Sequence, residues 1–316
     1  MKHIYPDYYE NFRCIADKCV HNCCIGWEID IDEDTASMYR QTEGDLGNRL
    51  RDNIDFSADS PCFILAQDER CPFLNSKNLC DIITAMGEES LCTICSEHPR
   101  FHNELPLRIE SGLGMCCEEA ARIILTKKDK VTLVSETGDS QETDDEIIKF
   151  RDELLSLVQN REMSIDERAE AILCACNAQL PPYSWGEWAE ILLSYEQLDG
   201  NWTQLLNLLR DKGDNSKAGT DALRFDKFMD ENQTEYENLL HYFIYRHVAN
   251  APDMDEAGVR AAFAVFAYRL IHILHTLLWA EKESLTAEER TDVCRMFSAE
   301  IEYSDENLYA LFDEFY

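Results

Sequence analysis

Eleven of the fourteen cysteines of this 316-residue chain lie between residues 14 and 117. They come in groups: Cys14, Cys19, Cys23 and Cys24 in FRCIADKCVHNCC, Cys62 alone, Cys71 and Cys80 in CPFLNSKNLC, Cys92 and Cys95 in LCTIC, and Cys116 and Cys117 in MCCEEA. Thiolate is a soft ligand that suits zinc and iron–sulfur clusters. Short spacings bring several thiols to one place at little loop-closure cost. A random scatter of core cysteines poorly explains so many that also fall in pairs, so the region reads as a metal or cluster site. Four cysteines suit structural zinc and an iron–sulfur cluster equally. The spacing is C-x4-C-x3-C-C; a C-x3-C-x2-C signature of radical enzymes would need its third cysteine at position 26, which is Gly26.

The surroundings of these cysteines favour ligands over disulfides. The N-terminus, MKHIYPDYYENF, has no apolar signal region, so the expected location is the cell interior, the cytoplasm, where thiols stay reduced. The longest apolar stretch, residues 259–280, contains Arg260, Arg269, His272 and His275 and reads as a buried helix rather than a membrane span. A net charge of −33, from 29 basic and 62 acidic residues, opposes binding to nucleic acid or anionic membrane. Its ordinary meaning is a solvated acidic surface; its sharper meaning is attraction to a lysine-rich partner.

Local patterns set out the rest. The aromatics Tyr5, Tyr8, Tyr9 and Phe12 read as packing residues. GWEIDID, residues 26–32, alternates like a short strand, and residues 33–52 read as one or two helices broken around Gly44. Residues 61–83 suggest hairpins turning at 68–70 and 75–78, with Cys71 and Cys80 on either side of the second turn, as in small metal knuckles. MCCEEAARIILTKKDK reads as a helix with Cys116 and Cys117 at its N-terminus, where the dipole favours thiolate. The polar, acidic stretch 127–145 is the expected domain boundary.

Beyond it the pattern is helical. Residues 146–160 carry an apolar stripe, and Ser164 with Glu167 forms a capping box for a helix through Asn177. Further helices are expected at 184–197, 201–210, 221–249, 256–280, 286–300 and 304–315. Cys174, Cys176 and Cys294 read as core or partly exposed thiols. His241, His247, His272 and His275 read as satisfied core histidines, although the last two share a helix face. His98 and His102 flank Pro99-Arg100-Phe101 directly after the C-x2-C pair, as candidate ligands or proton carriers. The expected fold is α+β, mostly α: a small cysteine-rich metal or cluster domain over 1–126, a linker over 127–145, and an all-helical domain over 146–316.

The succession YPDYYENFRCIADKCVHNCCIGWEIDID, CPFLNSKNLCDI, GEESLCTICSEHPRF and CCEEAARIIL resembles flagellin lysine-N-methylase. More loosely it resembles the cysteine-cluster proteins described as zinc- or iron-chelating domains. The likeness covers about the first 125 residues. It implies S-adenosyl-L-methionine-dependent methylation of flagellin lysines and a 4Fe–4S cluster, with zinc as the alternative. It carries the family's cysteine motifs onto Cys14, Cys19, Cys23, Cys24, Cys71, Cys80, Cys92, Cys95 and Cys116, but not Cys62 or Cys117. A methylase must deprotonate its lysine, and Tyr5, Tyr8, Tyr9 and His98 are candidates for that work by sequence proximity. The different-class alternative is a non-catalytic zinc- or iron-binding module whose helices dock a partner.

Overall fold

The computed structural model describes residues 1–136 and 145–316, except for the side chains of 216 and 217. Contacts divide the chain into two compact units, Arg13–Phe101 and a second made of Met1–Phe12 with His102–Tyr316. In chain order the elements begin with β1 (Lys2–Pro6), α1 (Glu33–Gln41), α2 (Gly44–Asp52), β2 (Ile54–Asp55), β3 (Cys62–Phe63), α3 (Asp81–Met86) and α4 (Thr93–Glu97). They continue with β4 (Arg100–Leu105), β5 (Arg108–Leu113), α5 (Glu118–Leu125), β6 (Leu133–Glu136), α6 (Glu146–Val158), α7 (Ile165–Ala175) and α8 (Trp185–Leu193). The last are α9 (Gly200–Lys212), α10 (Ser216–Phe228), α11 (Thr234–His247), α12 (Met254–Lys282), α13 (Ala287–Phe297) and α14 (Asp305–Asp313).

The Arg13–Phe101 unit holds nine of the cysteines in short elements joined by turns. Asp32 caps α1 by accepting from Thr35 N, and Gly44 opens α2 with a φ of +78°, the break expected around that glycine. The alternation of GWEIDID does bury Ile29 and Ile31, but the segment makes an isolated bridge, Asp30 to Cys62, just after another from Ile25 to Arg70, instead of a strand. Trp27 is left exposed, because one-residue bridges supply no sheet face for it to cover. The second expected turn is present as a Leu74–Cys80 bridge around 75–78, with Asn78 at a φ of +56°.

The second unit is helical around α12. This helix is apolar on nearly all sides, and a helix of that kind must be surrounded. It packs against α6, α7, α9, α10, α11, α13 and α14. Among the described residues it is the one helix long and apolar enough to cross a membrane, and 83% of its apolar window is buried inside the protein. The capping box of Ser164 and Glu167 is formed at α7. The span 221–249 is two helices, not one: the chain breaks at Met229–Gln233, where Asp230, Glu231 and Asn232 favour a new helix start over continuation.

Among the described residues, 146–316 hold helices and no strand, but the unit to which they belong also contains a four-stranded sheet in the order β4-β5-β1-β6, drawn from the spans expected as cysteine-rich domain and linker. β1 runs parallel to β5 and antiparallel to β6. The expected linker therefore contributes β6 over its residues 133–136, while 137–144 lie outside the described residues. Local periodicity does not show this sheet, because His3 pairs with Ile109 and Glu136, far along the chain. The helices hold one side of it. Tyr245 of α11 donates to the carbonyls of Ile4 and Ser111, and Arg151 of α6 clasps buried Glu110 of β5 at 2.7 and 2.8 Å.

Candidate functional site

Within the Arg13–Phe101 unit the turns and short helices gather six thiols: Cys23, Cys24, Cys71, Cys80, Cys92 and Cys95. Cys71 N donates to Cys24 O at 2.9 Å, which ties the first cysteine group to the second. Cys80 precedes α3, and Cys92 precedes α4, whose first turn holds Cys95. Cys71 and Cys92 belong to the unit's apolar core, and Cys24, Cys80 and Cys95 pack against it.

Their acidities show mutual influence. Burial, with the neighbouring Cys80 and Cys92, pushes Cys71 up to about 11. Burial also raises Cys80. Hydrogen bonding with Cys24 lowers Cys23 and raises Cys24; Cys92 and Cys95 repeat the pattern, with Cys92 lowered. The thiols thus meet in pairs that each hold one proton more tightly. Among the described residues no group of three or more His, Cys, Asp or Glu side chains is arranged to hold a metal ion. The donor chemistry fits nonetheless: more than four soft thiols share one small core, which meets the sulfur demand of tetrahedral zinc or a 4Fe–4S cluster.

The nine cysteines singled out by resemblance do not all join this group. Cys14 is exposed, with its Sγ accepting from Ala16 N, and Cys19 Sγ donates to His21 O. Cys116 belongs to the second unit, before α5, beside Tyr303 and Arg246, and burial pushes its thiol up to about 12. Cys62, left out by the resemblance, sits on β3 under the influence of Glu28, Asp55 and Asp30.

The proton-transfer candidates also separate. His98 lies in the thiol unit, its ring 5.8 Å from that of Trp27, and burial lowers it to about 4, so it is neutral at pH 7. His102 lies on β4, with Nδ1 2.6 Å from Ser111 Oγ. Tyr8 is buried, and burial holds its phenol protonated. The Tyr5 hydroxyl donates to Glu136 at 3.0 Å, a bond that raises it to about 12 and makes it a donor rather than a base. The ring of Tyr9 lies 5.2 Å from that of Tyr5. His272 is not without an acid, since it pairs with Asp226 at 2.8 Å; His275 is satisfied separately by Tyr236 and Arg290 O.

Sequence reasoning passes over a second polar cluster, buried in the helical unit. Glu302, in a π-helical turn after α13, accepts from Tyr242 at 2.9 Å and lies 2.6 Å from His247 Nε2 and 3.3 Å from Arg246 Nε. Arg246 lies over the Tyr303 ring, and a Cβ on Gly114 would fall 1.9 Å from the Tyr303 hydroxyl. A π turn often marks a functional place, but no short motif announces one. A cavity of about 290 Å³ between α8, α10 and α12 is lined by polar groups already paired, Asp166 with Tyr268 and Asp214 with Trp185 N and Gly186 N.

Residues 187–316, α8 through α14 apart from the first turn of α8, match the model of the FliB lysine N-methylase C-terminal domain. The flagellar biosynthetic protein FliU of Salmonella muenchen is 26% identical over 134 residues, 40% of this chain and 79% of that protein. Lysine-N-methylases of Salmonella choleraesuis and Salmonella typhimurium are each 25% identical over 138 residues, 42% of this chain and 34% of theirs. The chain thus spans about a third of the length of these two methylases. No solved structure matches it. By its C-terminal domain the chain is FliB-like. Together the matches support the flagellin lysine-N-methylase family, the same family that the cysteine motifs resemble.

Proposed function

We propose that the chain methylates lysine side chains of flagellin in the cytoplasm, using S-adenosyl-L-methionine, with cysteines of the Arg13–Phe101 unit holding a 4Fe–4S cluster. The observation that carries this reading is the match of residues 187–316 to the FliB lysine N-methylase C-terminal domain. Six gathered thiols support the cluster, with zinc as its alternative occupant. The net charge of −33 suits a lysine-bearing partner and opposes nucleic acid and anionic membrane.

A lysine amine has a pKa of about 10.4 in water, so a methylase must take its proton before the nitrogen can attack. When bound, S-adenosyl-L-methionine supplies an electrophilic methyl group. The chain's own part is to attract the ammonium, orient it and accept its proton, and carboxylates and histidines are the groups for that work. Cys23, Cys24, Cys71, Cys80, Cys92 and Cys95 would supply the cluster's ligands.

A second reading has one observation in its favour: FliU, most of whose length this chain matches, is named for flagellar biosynthesis and not for an activity. In that reading the chain is a non-catalytic zinc- or iron-binding module with a helical docking domain. Anaerobic purification followed by iron, sulfide and zinc analysis tests the site. Transfer of labelled methyl from S-adenosyl-L-methionine to flagellin tests the reaction. About four irons and four sulfides per chain are expected, together with label on flagellin lysines. Zinc without sulfide, and flagellin left unlabelled by metal-replete protein, would transfer the conclusion to the module.

A further inference from the structure

One face of the sheet collects groups that neither the thiol site nor the buried Glu302 cluster uses. β1 sets His3 beside Glu136 of β6 and Ile109 of β5, and sets Tyr5 beside Val134. Strand alternation then places His3, Tyr5, Glu136 and Ser111 on the same face, since Ser111 follows Ile109 by two. Ile4 and Glu110 take the other face, under the helices.

The geometry on this face is specific. Ser111 is fully buried, and its hydroxyl lies 2.7 Å from His3 Nε2 and 2.6 Å from His102 Nδ1. His3 Nδ1 lies 3.8 Å from Glu136 Oε2, and the two side chains are 35% and 60% exposed. Glu136 also accepts from the Tyr5 hydroxyl at 3.0 Å, which fixes the carboxylate. The ring of Tyr9 lies 6.5 Å from that of His3, edge to face.

A serine hydroxyl carries one proton, so between two ring nitrogens it donates to one and accepts from the other. When Ser111 donates to His102, His3 donates from Nε2, and its Nδ1 is left with a lone pair facing Glu136. The lone pair therefore sits beside a carboxylate and an aromatic ring. A carboxylate with an aromatic face is also the environment that holds an organic ammonium.

Building on the lysine-methylation reading, we propose that this sheet face receives the substrate ammonium: Glu136 and the Tyr9 ring hold the cation, and His3 Nδ1 removes its proton. The ammonium N–H bond breaks and its electron pair stays on the nitrogen. The new N–H bond forms at His3, whose imidazolium is then held by Glu136 on one side and Ser111 on the other. The freed amine is the nucleophile that a sulfonium methyl donor requires. Tyr5 and Ser111 are positioning residues, acting through Glu136 and His3.

The test uses the full chain, a flagellin peptide bearing one lysine, and the same peptide with that lysine acetylated. Fluorescence anisotropy reads binding without any cofactor. Acetylation and Glu136→Gln are each expected to weaken binding about tenfold, the scale of one charge-assisted contact. Glu136 is exposed, so this variant is expected to melt with the wild type. The lysine peptide, but not its acetylated form, should shift the ring ¹⁵N signals of His3. His3→Gln should lower kcat for methyl transfer about 10²-fold or more while weakening peptide binding less than Glu136→Gln does. Equal binding of both peptides, or full methyl transfer by His3→Gln, would overturn the inference. Lysine-selective binding that depends on Glu136, in a protein that never transfers methyl, would uphold the ammonium site and sink the methylation reading alone.

Discussion

Gly47 lies in α2, where helix propensity alone favours alanine by about 1 kcal/mol. A methyl group there would stand 1.9 Å from the Thr42 carbonyl oxygen and 2.5 Å from its carbon. Those are backbone atoms and cannot swing aside. Gly47→Ala is therefore expected to destabilise the Arg13–Phe101 unit by about 1–3 kcal/mol, the usual cost of overpacking, seen as a lower urea midpoint. An unchanged or higher midpoint would mean that α1 and α2 can part at no cost. His241 of α11 makes a different single-residue case. Burial first, then nearby Arg151, lowers it from 6.5 to about 3, against the smaller opposing effect of Asp7. Between those two values the unfolded chain binds a proton that the folded chain refuses, so stability falls as pH drops through that window. His241→Leu should lose less stability than the wild type between pH 7 and pH 5, as urea midpoints at the two pH values would record. Buried His275, also lowered to about 3, keeps the variant from becoming insensitive.

At the scale of elements, the tie between α6 and β5 is an ion pair with almost no exposed surface, Arg151 at 1% and Glu110 at 0%. Removing one partner of such a pair strands the other charge in the core. Arg151→Met is expected to cost about 3–5 kcal/mol, eased in part by Arg108, which reaches Glu110 at 2.6 Å. Arg108 also relies on Glu110, so all three groups must go together: Arg108→Met and Arg151→Met with Glu110→Leu should recover much of the loss; calorimetric melting of the wild type, the single and the triple variant would decide, and a triple variant worse than the single one would refute the argument. The same tie marks the limit of what sequence can reveal. The α6 stripe, the α7 capping box and the break at Gly44 are local, and each was readable where it stands. The sheet that α6 clasps was not, because β1 finds its partners about a hundred residues away, and pairing at that distance leaves no local period. The candidate site divides in the same way. Cysteine spacing marked the region in which six thiols gather, whereas the nine carried over by the resemblance also included Cys14 and Cys19, which stand apart, and Cys116, which folds into the other unit. His3 and Ser111 carry no pattern at all, and only the register of β1 on β5 brings them together. The family signal in residues 187–316 is spread over packed helices, where no short motif could have shown it.

Over the whole molecule, the two units rest on different cores. That of Arg13–Phe101 is small and includes thiols: Cys71 and Cys92 are buried in it and Cys24, Cys80 and Cys95 pack at its margin. The helical unit instead packs apolar and aromatic residues around α12, with Phe243, Phe263, Phe266 and Phe297 almost fully buried. Ligand thiols must be deprotonated, and uncompensated thiolates in an apolar core repel one another and resist desolvation. A bound metal or cluster therefore adds its binding energy to the folding of the first unit and contributes nothing to the packing around α12. Stripping metal with a chelator and ferricyanide under anaerobic conditions is thus expected to act unevenly. Calorimetry should show one transition moving to lower temperature and another staying in place, while most helical circular dichroism persists. Limited proteolysis of the stripped protein should cut within residues 13–101 before it cuts within α5 to α14. If stripping moves neither transition, the thiols are not metal ligands that support the fold, and if it moves both equally, the two cores are not energetically separate.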